Sequence, residues 1–133
     1  MLIVGGIEQP STGNQSTMKS DRIVYQSENT TVVAIDQPSH GNACHLYEVR
    51  DPMGDQLCTI NFQKGPIKEH GVNGAQHADL LAIVRDRLDG FQSGPFASGT
   101  NEVTRGFVDA AMASDNTRTR LRTAAGTEGT SKP

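Results

Sequence analysis

The sequence predicts an α+β fold: a small antiparallel sheet of about four strands followed by a two-helix hairpin, in a homo-oligomer. Runs of β-branched and aromatic residues of strand length fill the stretch from Arg22 to Phe62. Helical spacing of apolar residues takes over after Gly74. Only 35% of the 133 residues are hydrophobic and none is Trp, while Gly and Pro number 14 and 6. One domain of this kind buries a modest core, and self-association is a natural way to bury more surface.

The strands come first. Ile23-Val24-Tyr25, Thr30 to Ile35, Cys44 to Val49 and Leu57 to Phe62 are separated by the turn signals Ser27-Glu28-Asn29, Asp36 to Asn42 and Asp51 to Asp55. Alternation in the last run puts Cys58, Ile60 and Phe62 on the buried face. The first helix spans Asp79 to Leu88, with Leu80, Leu81, Ile83, Val84, Leu88 and Phe91 near one stripe and Arg85, Asp86 and Asp89 outward. Pro95 forbids direct continuation, and Ser98, Thr100 or Asn101 caps a second helix. That helix carries Val103, Phe107, Val108, Ala111 and Met112. Residues 1–20, rich in Gly, Ser, Thr, Asn and Gln, read as a flexible N-terminal arm. Residues 21–123 read as a single sheet-plus-hairpin domain and 124–133 as a C-terminal tail.

Composition narrows the function. A net charge of −3 argues against binding DNA or RNA polymers. There is no transmembrane run, and Leu2-Ile3-Val4 is too short for a signal-peptide core, which points to a cytoplasm with reduced thiols. Cys44 and His45 point to opposite faces of a strand, and no Cys-x-x-Cys or His-x-x-x-His pair anchors a metal. With the turn centred near Pro52-Met53, Cys58 sits opposite Tyr47 or Glu48, which argues against a disulfide with Cys44. The two cysteines read as buried thiols and the histidines as surface imidazoles. No nucleophile elbow or phosphate loop followed by Lys and Ser or Thr is present, and Asp79, Asp86 and Asp89 form no convincing acid/base pair. An enzyme is not expected, and no cofactor is implied.

Two stretches can hold an anion. Gly71-Val72-Asn73-Gly74 offers backbone N–H groups near a helix start, and serves equally as a turn that re-aims the chain. Arg118 and Arg122 are four apart and project from one helix face. Paired guanidiniums suit phosphate oxygens, and solvated cations at a helix end are the simpler account. Phe91 offers a ring for stacking and Asn101 a donor and an acceptor.

The runs Phe62 to Glu69, Gly71 to Gly74, Asp79 to Val84, Asp86 to Leu88 and Phe91 to Phe96 resemble phage anti-Thoeris sponge proteins, which share a helical hairpin with the anti-CBASS cyclic-nucleotide sponges. The match spans roughly residues 30–130 and is densest from Phe62 to Phe96. The resemblance implies a protein of the host bacterial cytoplasm that sequesters a signal without cleaving it. Its ligand is glycocyclic ADP-ribose, joined in several family members by cyclic trinucleotides in a separate pocket, and its subunits assemble as dimers or hexamers. Carried onto this sequence, the stacking aromatic is Phe91, the polar contact is Asn101, and the paired arginines are Arg118 and Arg122. The second pocket falls on the turn containing Lys68, Val72, Asn73 and Gly74. An enzyme degrading a cyclic nucleotide and a structural assembly protein of the phage are the alternative readings.

Overall fold

A computed structural model describes residues 21–133; the N-terminal arm expected over residues 1–20 lies outside them. The chain forms two compact units, one ending at Asn61 and one running from Phe62 to Pro133.

The first unit is a four-stranded antiparallel meander in chain order: β1 (Arg22–Gln26), β2 (Thr31–Ala34), β3 (Leu46–Arg50) and β4 (Gln56–Asn61). Side chains of turn residues close its connections. Ser27 Oγ accepts from the amides of Asn29 and Thr30, at 3.3 and 3.1 Å. Asp51 Oδ1 accepts from those of Met53 and Asp55, each at 2.9 Å. The core sits on the central strand β2, where Val33 is 2% and Ala34 0% exposed.

Register differs from the simple hairpin count. A bulge between Val49 and Arg50 places Cys58 opposite Val49 rather than Tyr47 or Glu48. Cys58 is exposed and not buried as expected, because β4 lies at the sheet edge. Cys44 is buried and unpaired with Cys58. Its Sγ donates to Asp36 O at 3.3 Å. His45 departs from the expected surface position: it is buried, with Nε2 3.2 Å from His40 O.

Asp36 organises this β2–β3 connection. Its two carboxylate oxygens accept from the amides of His45 (2.9 Å) and Leu46 (3.2 Å). Burial pushes the carboxyl up, but these two backbone N–H groups, with the His45 ring nearby, outweigh it and hold Asp36 below its ordinary value near 3.8.

The second unit opens with a closed loop. Phe62 bridges to Ala75, and Gln63 N donates to Ala75 O at 2.8 Å. The short helix α1 (Ile67–His70) lies inside the loop, and α2 (His77–Gln92) follows it. Gln76 N donates to Asp79 Oδ2 at 2.8 Å, so this carboxylate serves the helix start. Ser98 caps α3 (Gly99–Ala124) by accepting from Asn101 N at 3.0 Å. No described helix is long and apolar enough to cross a membrane.

The stripe of α2 that is shielded from solvent is Ala78, Leu80, Leu81, Arg85, Leu88, Phe91 and Gln92. Leu80, Leu81, Leu88 and Phe91 lie on it as expected, and Ile83 and Val84 do not. Arg85 and Asp89, expected outward, meet α3: Arg85 pairs with Asp109 at 3.0 Å, and Arg105 pairs with Asp89 and, at 4.0 Å, Asp109. Ile83, expected inward, is 67% exposed, and Val84, Val103 and Phe107 are exposed with it.

Because the folded Asp36 carboxyl titrates below its unfolded value, its contribution is complete above that value and is lost as pH falls through the folded one. Urea titrations should therefore show stability dropping below about pH 4. Asp36→Ala, which strands two amides, should cost about 1–3 kcal/mol at neutral pH and remove part of that acid dependence.

Candidate functional site

The hairpin presents two separate groups of the side chains singled out from the sequence. At the α2–α3 connection, Phe91 is half-buried, and its ring meets that of Phe96 edge to face at 6.3 Å. The Arg87 guanidinium lies over the Phe91 ring, 5.0 Å from its centroid. Asn101 belongs to the same end, where its Nδ2 donates to Phe96 O at 3.4 Å. Gln92 fastens the connection by accepting from Ser98 N at 2.9 Å and donating to Ser98 O and Glu102 Oε1, at 3.0 and 3.2 Å.

The arginines lie toward the other end of α3. Seventeen residues of helix between Asn101 and Arg118 correspond to about 25 Å along the axis. Within one chain, Phe91 and Asn101 therefore lie at one end of the hairpin and Arg118 and Arg122 toward the other.

Arg118 and Arg122 differ in state. Arg118 is exposed and makes no ion pair or hydrogen bond among the described residues. It borders a groove of about 540 Å³ whose walls include Phe62, His77, Leu80, Leu81 and Asp115. The Phe62 and His77 rings stand edge to face at 5.7 Å. Neither ring was singled out as a site residue, because the loop closure that brings Phe62 to the start of α2 leaves no local pattern. Arg122 is covered. Its Nε donates to Glu128 Oε1 at 3.1 Å, and its Nη2 donates to Thr127 O at 2.7 Å and Thr130 O at 3.3 Å. The segment read as a tail thus folds back on the helix that precedes it.

The Lys68–Gly74 turn is built by amide side chains. Asn73 Oδ1 accepts from Lys64 N and its Nδ2 donates to Lys64 O, both at 2.8 Å, in the manner of a strand pair. Gln63 Nε2 donates to Gly65 O and Gly71 O at 3.0 and 2.8 Å, and its Oε1 accepts from Asn73 N at 2.9 Å. Gly65 must be glycine: its φ is +82°, and a Cβ there would meet the His70 ring at 2.4 Å. Val72 is exposed, and Lys68 N donates to Gly129 O at 3.1 Å. Among the described residues no cluster of three His, Cys, Asp or Glu side chains is placed to hold a metal ion.

No family model matches this chain. A Thoeris anti-defense 1 protein of Bacillus phage SBSphiJ7 is 38% identical over 99 residues, covering 72% of this chain and 69% of the relative. The chain belongs to the Thoeris anti-defense 1 family. Membership in that family agrees with the resemblance carried by the Phe62 to Phe96 stretch.

Replacing Asn73 by Ala should loosen the turn without unfolding either helix. The expected cost is about 1–2 kcal/mol, read as faster hydrogen exchange at the Lys64 amide while α2 and α3 stay protected.

Proposed function

We propose that this chain is a phage anti-defence sponge: it binds glycocyclic ADP-ribose, the Thoeris signal, in the host bacterial cytoplasm and sequesters it without cleaving it. The observation that carries the proposal is the 38% identity to a Thoeris anti-defense 1 protein. The hairpin supplies chemistry that fits. Phe91 offers an aromatic face for a base, and Arg118 a solvent-exposed guanidinium for phosphate oxygens.

The 25 Å between these groups is bridged by a second copy. The outer faces of the hairpin carry Ile83, Val84, Val103 and Phe107, the last 73% exposed. Such a ridge suits association with another copy. In a two-fold antiparallel pairing of hairpins, the Phe91 and Asn101 end of one subunit meets the Arg118 and Arg122 end of the other, giving two identical composite sites. Hexamers assemble from such dimers. Cyclic trinucleotides of CBASS signalling occupy a separate pocket at the Lys68, Val72, Asn73 and Gly74 turn.

A sponge acts by mass action, so slow release is the property that matters. A nanomolar dissociation constant corresponds to about −12 kcal/mol, within reach of several charge-assisted contacts and ring stacking. Protein incubated with glycocyclic ADP-ribose and then heat-denatured should return the ligand intact by mass spectrometry. Hydrolysed ligand would establish a degrading enzyme instead.

The composite site makes a second prediction. Phe91→Ala should lose roughly tenfold in affinity and the double variant Arg118→Ala with Arg122→Ala roughly a hundredfold, as expected from removing one and two contacts of about 1.5 kcal/mol apiece. Refolding the two variants together should restore wild-type affinity at one site per mixed dimer. Calorimetry showing no recovery in the mixture would refute sites shared between subunits.

A further inference from the structure

The tail of the chain satisfies one arginine of the pair and leaves the other open. A guanidinium takes a phosphate on two N–H groups at once, along its Nε/Nη2 edge or its Nη1/Nη2 edge. In Arg122 the Nε hydrogen goes to Glu128 Oε1, while Nη2 serves the carbonyls of both Thr127 and Thr130. Both bidentate edges need Nη2, and Nη2 has two hydrogens. The Glu128 carboxylate also neutralises the charge at 3.1 Å, and the Arg122 side chain is left 17% exposed.

The turn that makes these contacts is a built element. Thr127 N and Glu128 N both donate to Arg122 O, at 2.9 and 3.2 Å. Thr130 N and Thr130 Oγ1 donate to Thr127 O, at 3.1 and 2.5 Å. Its far side is fastened to α1, where Gly129 O accepts from Lys68 N at 3.1 Å and Ser131 Oγ donates to Glu69 Oε2 at 3.1 Å. Gly126 and Gly129 take the positive φ values, +75° and +76°, that reverse the chain. One carboxylate and two carbonyls thus present Arg122 with the acceptors that a phosphate would present.

We propose that residues Thr127–Ser131 form an intramolecular latch that holds Arg122 in a closed state, and that an anionic ligand binds bidentately there by displacing Glu128 and the Thr127 and Thr130 carbonyls. The latch rests on the sponge reading for its natural ligand, but not for its test. Arg118, which makes no ion pair or hydrogen bond among the described residues, makes the first contact, and exchange of the tail for the ligand at Arg122 completes the site.

The test compares wild type, Glu128→Gln in the full chain, and a chain ending at Gly126. Each is titrated calorimetrically with glycocyclic ADP-ribose and with inorganic pyrophosphate. Glu128→Gln keeps the shape of the turn and should tighten binding roughly two- to fivefold, the range set by loss of one partly exposed ion pair. The shortened chain should gain more, and adding Arg122→Ala should abolish both gains. Unchanged or weaker binding of both probes by Glu128→Gln overturns the latch and makes the tail a support that positions Arg122. If the shortened chain fails to fold, the Glu128→Gln result decides. If wild type ignores glycocyclic ADP-ribose while Glu128→Gln gains pyrophosphate affinity through Arg122, the sponge reading falls and the latch stands. Absence of any gain in any variant removes the latch.

Discussion

The hairpin is registered by charge. Arg85 and Asp109, with Arg105 between Asp89 and Asp109, occupy the seam between α2 and α3 where an apolar stripe is the ordinary solution. Ion pairs this open to water add little net stability, but each match of opposite charges favours one alignment of α2 against α3. Arg85 sits in the shielded stripe between Leu81 and Leu88, so Ile83 and Val84 are rotated out of the seam. The apolar surface of both helices is wider than the contact they make with each other. Ile83, Val84, Val103 and Phe107 accordingly remain exposed outside that contact.

The strands were legible because punctuation and composition agreed: β-branched runs ended at Ser27, Asp36 and Asp51, and those side chains or their loops close the turns. Register was less legible. One bulge beside Arg50 moves Cys58 across from Val49, and nothing in a run of six strand-forming residues announces it. The helix faces are legible in part, since Leu80, Leu81, Leu88 and Phe91 are shielded as expected and Asp89 is exposed. Reading Arg85 as outward assumes that charges seek water, whereas opposite charges on two helices also satisfy each other across a seam. His45 is the same lesson in the sheet unit, a polar side chain buried against a carbonyl. The loop from Gln63 to Asn73 looked like a Gly-rich turn, and its glycines do take positive φ. Its stability comes from two amide side chains that imitate backbone pairing, a role that residue type permits but does not signal.

Spacing along a helix treats Arg118 and Arg122 as equivalents, since residues four apart share a face. Their surroundings separate them. Arg118 is exposed and borders the groove lined by Phe62 and His77, and it makes no ion pair or hydrogen bond among the described residues. Arg122 comes one turn later, where the helix ends and the chain must reverse, so its guanidinium meets the residues that do the reversing. The difference comes from glycine placement. Positive φ at Gly126 and Gly129 aims the Thr127 and Thr130 carbonyls inward, and a Glu at 128 falls within reach of Nε. A tail without those glycines would leave two identical cations at the helix end. With them, the pair consists of one exposed cation and one already complexed, and an anion that engaged both would compete with the protein's own backbone for the second.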